Sequence, residues 1–177
     1  MTAPLEIPQL LHREKFERLL GRFRALDRAI VAYSGGVDST LLLKAGTLAI
    51  GERCLGVIAR SETLTDDEYD KAMAVARRHG FHVRSIAYSE LEIENYAENP
   101  VNRCYFCKHE LFSRLTDLAA QLGIGTIIEG SNADDLGDWR PGMQAAAQLQ
   151  VLSPLREADL HKQEIRDLAR ASISKQP

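Results

Sequence analysis

Ser34-Gly35-Gly36-Val37-Asp38-Ser39-Thr40 is the stretch of this chain whose residue types and spacing most directly carry chemistry. Two adjacent glycines let a backbone approach a ligand closely and take turn dihedrals that other residues resist. The apolar run 29–33 (AIVAY) precedes the stretch, and a helix-forming apolar segment (TLLLKAGTLAI) follows it. The free N–H groups and positive dipole end of that helix therefore face the same spot as the glycines. Ser34, Ser39 and Thr40 add hydroxyl donors, and Asp38 offers an oxygen to a hydrated Mg2+ ion. The chemistry these residues suit is the binding of phosphate or pyrophosphate. A Walker A loop is excluded, because GxxxxGK[ST] is absent and Lys44 lies too far along the helix. The dinucleotide fingerprint GxGxxG is also absent. A glycine pair alone would fit an ordinary strand-to-helix turn with a serine cap; the full string in this setting favours the ligand-binding reading.

Cys104 and Cys107 form a second candidate, a CxxC at the mouth of a helix between Arg103 and Lys108. A helix N-terminus and neighbouring cations are expected to lower a thiol pKa. From the residues alone the pair fits a zinc half-site, a redox pair, cluster ligands or two packed cysteines. Cys54 falls within the apolar run 54–59 and reads as a core residue. The five histidines show no ligand pattern: His79 and His82 straddle Gly80, a helix end, and His109 reads as a helix-surface residue. Asp66, Asp67 and Glu68 read as helix-capping acids. Asp134, Asp135, Asp138 and Arg140 follow an apolar run, where Arg140 can hold phosphate bidentately and Asp135 can share Mg2+ with Asp38. A solvated loop with an Arg–Asp pair is the alternative for that segment.

The elements that must position these groups follow from periodicity. Short apolar runs at 29–33, 54–59 and 126–129, with a minor one at 151–152, read as strands, and 83–87 is a further strand candidate. Helices are expected over 9–26, from 39 onward, from 66 to 78, over 105–122 and over 162–171. Thr65 to Glu68 is a capping box, with Leu64 and Tyr69 as its hydrophobic staple. Strands alternate with helices and are continuously apolar, which predicts an α/β fold, a parallel doubly wound sheet covered on both faces. In such a sheet ligands bind beyond the carboxyl ends of the strands. The loops opening at Ser34, Arg60, Tyr88 and Gly130 are then the ones to watch.

The bulk properties agree. A length of 177 residues suits one domain, and 45% hydrophobic with 27% charged residues is a globular composition. The net charge of −3 supplies no basic field for nucleic acid or anionic membrane. Three cysteines are too few for a disulfide scaffold and favour a reducing compartment. The first residues carry Glu6 and Glu14 without a signal-peptide core. No apolar run approaches the roughly 18 residues of a membrane span. A cytoplasmic, membrane-free protein is expected.

The SGGVDS string resembles the signature of the PP-loop (N-type) ATP pyrophosphatases, enzymes that split ATP into AMP and pyrophosphate. The stretches SETLTDDE (61–68), NPVNRCYFCK (99–108), EGSNADD (129–135), GDWRPG (137–142) and SPL (153–155) resemble one branch, the LarE-type sacrificial sulfur transferases. That family serves nickel-pincer cofactor biosynthesis for lactate racemase. The resemblance implies a Rossmann-like sheet of the PP-loop type and adenylylation of a carboxylate on pyridinium-3,5-biscarboxylic acid mononucleotide. Pyrophosphate leaves, and sulfur then displaces AMP to give a thiocarboxylate. Some members sacrifice a protein cysteine, which ends as dehydroalanine; others hold an iron–sulfur cluster on three cysteines.

Carried onto this chain, the resemblance assigns pyrophosphate to Ser34, Gly35, Gly36, Ser39 and Thr40, and Mg2+ to Asp38 and Asp135. It places Ser61 and Gly130 beside the nucleotide, Arg140 on the phosphates, and Cys104 and Cys107 in the sulfur chemistry, as cluster ligands or sulfur carriers. The implied partners are ATP and a small carboxylate nucleotide, with no nucleic acid and no membrane, in a homo-oligomer. The implied layout is a helix within 1–27 packed on a PP-loop domain over 28–171, followed by an unmatched tail at 172–177. Full-length members of that family are longer, so a third cluster ligand and further substrate residues are expected beyond Ala171. The rival readings are an NAD synthetase-like amidating enzyme, a tRNA-thiolating enzyme, which the net charge does not favour, or an ATP-binding module without turnover.

Overall fold

The computed structural model describes residues 12–94, 98, 101–137 and 141–173. Four parallel strands, β1 (Ala29–Ala32), β2 (Cys54–Arg60), β3 (Val83–Ala87) and β4 (Ile127–Ile128), form a sheet in the order β3-β2-β1-β4. Ala29 pairs with Cys54, Gly56 with Val83 and Ile30 with Ile127. The chain moves outward from β1 to β3 and then crosses back to lay β4 on the other side of β1. That reversal opens a crevice at the carboxyl ends of β1 and β4, where α/β sheets take their ligands.

Neighbouring residues on a strand point to opposite faces, and the core divides accordingly. Val31, Ile58 and Ile128 join a cluster with α1 (Arg13–Arg24), α2 (Val37–Ile50), α3 (Asp66–Arg78) and α7 (Lys162–Ile173). Ile30, Val57 and Ile127 join a second cluster with α4 (Arg103–Leu122) and α5 (Pro141–Gln148). Burial on both faces explains why β1, β2 and β4 lack polar alternation, whereas the edge strand β3 carries exposed Arg84 and Ser85. The amphipathic α1 buries Phe16, Leu19, Leu20 and Phe23. Helix α2 lies deep in its layer, with Lys44 buried along it and its amine pulled below its ordinary pKa by desolvation. Cys54 is wholly buried, and the apolar surroundings push its thiol up to about 12. No described helix is long and apolar enough to cross a membrane.

The expected strands and long helices are present, with three differences. The segment at 151–152 contributes one parallel bridge, Ile128 to Leu152, and β4 is only two residues long. Helix α2 opens at Val37 with Gly36 at its cap, so Ser39 lies inside the helix and not at its cap. Helix α5 and the single turn α6 (Pro154–Glu157) begin at Pro-Gly and Ser-Pro, residue pairs that read as turns, although proline is also well suited to a first helical turn. The capping box is present: Glu68 N–H donates to Thr65 Oγ1 at 3.2 Å, and Thr65 N–H to Glu68 Oε2 at 3.0 Å.

Candidate functional site

The loop that links β1 to α2 is fixed from behind. Tyr33, buried, donates its phenol to the Ala72 carbonyl of α3 at 2.8 Å. Gly35 takes φ +78°, and a Cβ there would fall 2.6 Å from the Ala72 Cβ, so only glycine lets the loop lie flush against α3. Inside the loop, Ser34 N–H donates to Ser39 Oγ at 3.1 Å, Gly36 N–H to Ser34 Oγ at 3.3 Å, and Thr40 Oγ1 to the Gly36 carbonyl at 2.7 Å. The hydroxyls thus hold the shape of the loop from within.

A cavity of about 660 Å³ opens above the loop, at the crevice between β1 and β4. Ser34, Gly36, Asp38 and Ser39 line it from one side, Gly130, Asn132 and Asp135 from another, and Cys104 and Lys108 of α4 from the third. Gly35 and Thr40 instead line a smaller groove behind the loop, with Arg166 and Arg170 of α7. Gly130 brings its strand end close to α2: a Cβ there would sit 3.5 Å from Asp38 Cβ.

Two lysines in the cavity are held by carboxylates. Lys162 Nζ donates to Asp38 Oδ1 at 2.7 Å, while Asn132 Nδ2 donates to Asp38 Oδ2 at 3.3 Å. Lys108 Nζ stands 3.6 Å from Glu129 Oε2. Glu129 is itself buried and accepts from Ser153 Oγ at 2.5 Å and Ser131 N–H at 3.1 Å. Lys162 is the first residue of α7, an end of the helix dipole where a cation is disfavoured. Asp134 offsets this by accepting from Lys162 N–H and His161 Nδ1, each at 2.7 Å. The His161 contact holds the Asp134 carboxyl below its ordinary pKa and raises that of His161. Sequence reasoning gave Lys162 no role, named Lys108 only as a cation beside the CxxC, and included Glu129 and Asn132 only within the 129–135 stretch. A lysine opening a helix against the dipole was the one available signal for Lys162.

The two cysteines of the CxxC face different surroundings. Cys104 is exposed and lines the cavity. A Cβ on Gly142 would meet its Sγ at 3.3 Å and Lys108 Cδ at 2.7 Å, so Gly142 lets α5 close against both. Cys107 is half-buried outside the cavity lining, with Sγ 3.6 Å from Glu90 Oε1 and 3.8 Å from Tyr88 Oη. Burial pushes the Cys107 thiol up, and the Glu90 charge adds to this against the Tyr88 hydrogen bond. The expected depression by the helix end and the flanking cations is therefore reversed at Cys107, because its side chain is packed beneath the loop after β3. Ser61 also stands outside the cavity lining and donates to Glu90 Oε1 at 2.8 Å. Arg140, with Asp138 and Trp139, lies outside the described residues.

Among the described residues no group of three or more His, Cys, Asp or Glu could hold a metal ion by itself. This donor set fits Mg2+, which takes one or two carboxylates and completes its shell with phosphate and water oxygens. Asp38 and Asp135 both line the cavity and can supply those carboxylates. The described residues bring two cysteines, Cys104 and Cys107, to this site, short of the three thiolates that the implied iron–sulfur cluster takes, so they do not complete one by themselves.

No family model matches the chain. It is 43% identical over 155 residues to an uncharacterized protein of Synechocystis sp., covering 88% of this chain and 58% of that protein. It is 37% identical over 152 residues to the pyridinium-3,5-bisthiocarboxylic acid mononucleotide synthase of Lactiplantibacillus plantarum, covering 85% and 55%. The chain thus spans little more than half the length of these curated relatives. Among solved structures it is similar to NMN synthetase from Francisella tularensis, with TM-score 0.71, 14% identity, and 90% and 70% of the two chains covered. It is also similar to the ammonia-dependent NAD synthetase from Campylobacter jejuni, with TM-score 0.67, 17% identity, and 88% and 71% covered. These structures share its α/β fold.

Proposed function

We propose, from the premise that this chain is a relative of the LarE-type sulfur transferases within the PP-loop ATP pyrophosphatases, that it carries the ATP-dependent half of a carboxylate-to-thiocarboxylate conversion. The observation that carries this reading is one cavity bounded by both the 34–40 loop and the thiol of Cys104. A nucleotide and a sulfur donor can meet there.

ATP is taken with its pyrophosphate over the loop at the start of α2, where Ser34, Gly36 and Ser39 face the cavity. Gly35 and Thr40 act on the same phosphates through the shape they give the loop. Mg2+, held by Asp38 and Asp135, would neutralise charge on the departing pyrophosphate. Lys162 exchanges its Asp38 partner for phosphate oxygens, and Lys108 is set by Glu129 to meet the α-phosphate. Arg140 assists the phosphates, while Ser61 and Gly130 flank the nucleoside. A substrate carboxylate oxygen attacks the α-phosphorus, the bond to pyrophosphate breaks, and an acyl adenylate results. A thiolate then attacks the acyl carbon and AMP leaves. An external hydrosulfide gives the thiocarboxylate directly. The Cys104 thiolate instead gives a thioester whose Cβ–Sγ bond breaks on loss of the Cα proton to a base, releasing the thiocarboxylate and leaving dehydroalanine at 104.

The substrate on this reading is a pyridinium dicarboxylate mononucleotide, and the product serves nickel-pincer cofactor biosynthesis. The enzyme is read as a cytoplasmic homo-oligomer acting on small molecules, with residues 28–171 as its PP-loop unit and the helix within 1–27 packed on it. The test is pyrophosphate release from ATP in the presence of that mononucleotide. Release that depends on the mononucleotide supports the reading; ATP binding without turnover overturns it for this chain. Turnover that requires ammonia in place of a sulfur donor would assign the amidating alternative.

A further inference from the structure

We propose that Lys15 of α1 is a positioning residue for Lys162: it clamps the turn from which α7 starts, and so makes the N-terminal helix part of the cavity's construction. Lys15 Nζ donates to the Asp159 carbonyl at 2.6 Å and to Glu164 Oε2 at 3.0 Å, and it stands 3.2 Å from Asp159 Oδ2. An ammonium has three protons to donate, and these contacts occupy them. The Lys15 hydrogen bond first, and its charge second, hold the Asp159 carboxyl below its ordinary pKa. The partners lie 144 and 149 positions along the chain, so the contact is made by the fold and not by local sequence.

Both ends of the clamp bear on the backbone that carries Lys162. Asp159 takes φ +57°, the left-handed region that a residue with a Cβ enters at a cost. Lys15 holds that conformation through the carbonyl and the carboxylate together. Glu164, the third residue of α7, accepts from the N–H of His161 at 2.8 Å, the return half of a capping box. The same Glu164 oxygen takes the Lys15 proton. The turn and cap thus set where Lys162 begins the helix, with its Nζ 2.7 Å from Asp38. Other contacts keep α7 in place when Lys15 is removed. Ala133 N–H donates to the Leu160 carbonyl at 2.8 Å, Asp134 accepts from Lys162 N–H, and His12 stands 3.4 Å from Glu164 and from Asp167. Loss of Lys15 should therefore move Lys162 without unravelling the helix. The consequence for nucleotide binding rests on the function proposed above; the hold on Lys162 does not.

The first test is trace acetylation of the whole chain with acetic anhydride, each lysine read by peptide mass spectrometry relative to the exposed Lys71. Lys15→Met should speed Lys162 by about fivefold, the scale of one weakened charge-assisted hydrogen bond, and leave Lys108 within about twofold. General loosening of the fold would speed both cavity lysines. Lys15→Arg keeps the charge and the donors and should restore the slow rate. An unchanged Lys162 in Lys15→Met, equal acceleration of Lys108, or failure of Lys15→Arg to restore the rate overturns the proposal. The second test is calorimetric titration with α,β-methylene-ATP and Mg2+. Lys15→Met should weaken binding by about fivefold in the native background and by less than about twofold when Lys162→Met is already present, because the first acts through the second. Equal weakening in both backgrounds overturns the route through Lys162. If the native protein does not bind the analogue, the proposed function fails, and the acetylation rates still decide the role of Lys15.

Discussion

Lys162 at the start of α7 meets Asp38 at the start of α2 at 2.7 Å, so a cation and an anion close one end of the cavity against each other. Lys162 opposes its own helix dipole, and Asp38, in the first turn of α2, is the anion that offsets it. On the function proposed above, a triphosphate with Mg2+ would satisfy both, the lysine by its oxygens and the aspartate by the metal.

Lys162→Met should therefore weaken ATP binding by about tenfold to a hundredfold, the range for a lost charge-assisted hydrogen bond. Calorimetric titration with ATP and Mg2+ measures this directly. Binding equal to the native protein would remove Lys162 from the phosphates.

Asp38→Ala should abolish AMP formation and leave the far-ultraviolet circular dichroism unchanged, because Asp38 is partly exposed and its backbone is held by α2. Unchanged turnover would take Asp38 out of the metal role.

Cys104→Ser should preserve pyrophosphate release and block thiocarboxylate formation, because adenylylation precedes the sulfur step. Mass spectrometry of the native chain after one turnover then identifies the sulfur source. Loss of the elements of hydrogen sulfide at residue 104 marks a sacrificed cysteine, and an intact residue 104 with product formed marks an external donor.

Gly142→Ala should slow pyrophosphate release by about tenfold with a small loss of stability, since the added methyl meets the flexible end of Lys108 at 2.7 Å and displaces it from Glu129. Steady-state kinetics would show this as a fall in kcat. A native rate would mean that Lys108 has no part in the adenylylation step.

Replacing His161 with Gln should have an effect on stability that depends on pH. His161 is raised above its ordinary 6.5 by Asp134 first, then by Asp159 and Glu164, so its contribution is full below about pH 6.5 and fades as pH rises through the folded value. Asp134 is held below its ordinary 3.8, so its share is present above that value and is lost as pH falls through the folded one. The difference in Tm between native and variant proteins should be larger near about pH 5.5 than near about pH 8.5. Equal differences at the two pH values would contradict the pairing.

Local structure was legible where a residue's neighbours in sequence are also its neighbours in space. The glycine loop, the Thr65–Glu68 box and the buried Cys54 strand are of that kind, and periodicity located the sheet elements. The sheet order was not legible, because the return of β4 to the side of β1 is a tertiary choice that a two-residue strand barely records. Cys107 shows the same limit: its sequence neighbours are cations, but its spatial neighbours are Glu90 and Tyr88. The lysines of the site are visible only through partners far along the chain, Glu129 for Lys108 and Asp38 for Lys162.

The crossing back of β4 also bears on how the protein is made. Asp38 meets Asn132 across 94 positions and Lys162 across 124, so this end of the cavity joins parts of the chain that leave the ribosome far apart in time. A nascent chain carrying only the glycine loop and its helix has the anion-binding turn but not the groups that close on it. On the function proposed above, competence toward ATP would arrive late in synthesis, once α7 has emerged and docked.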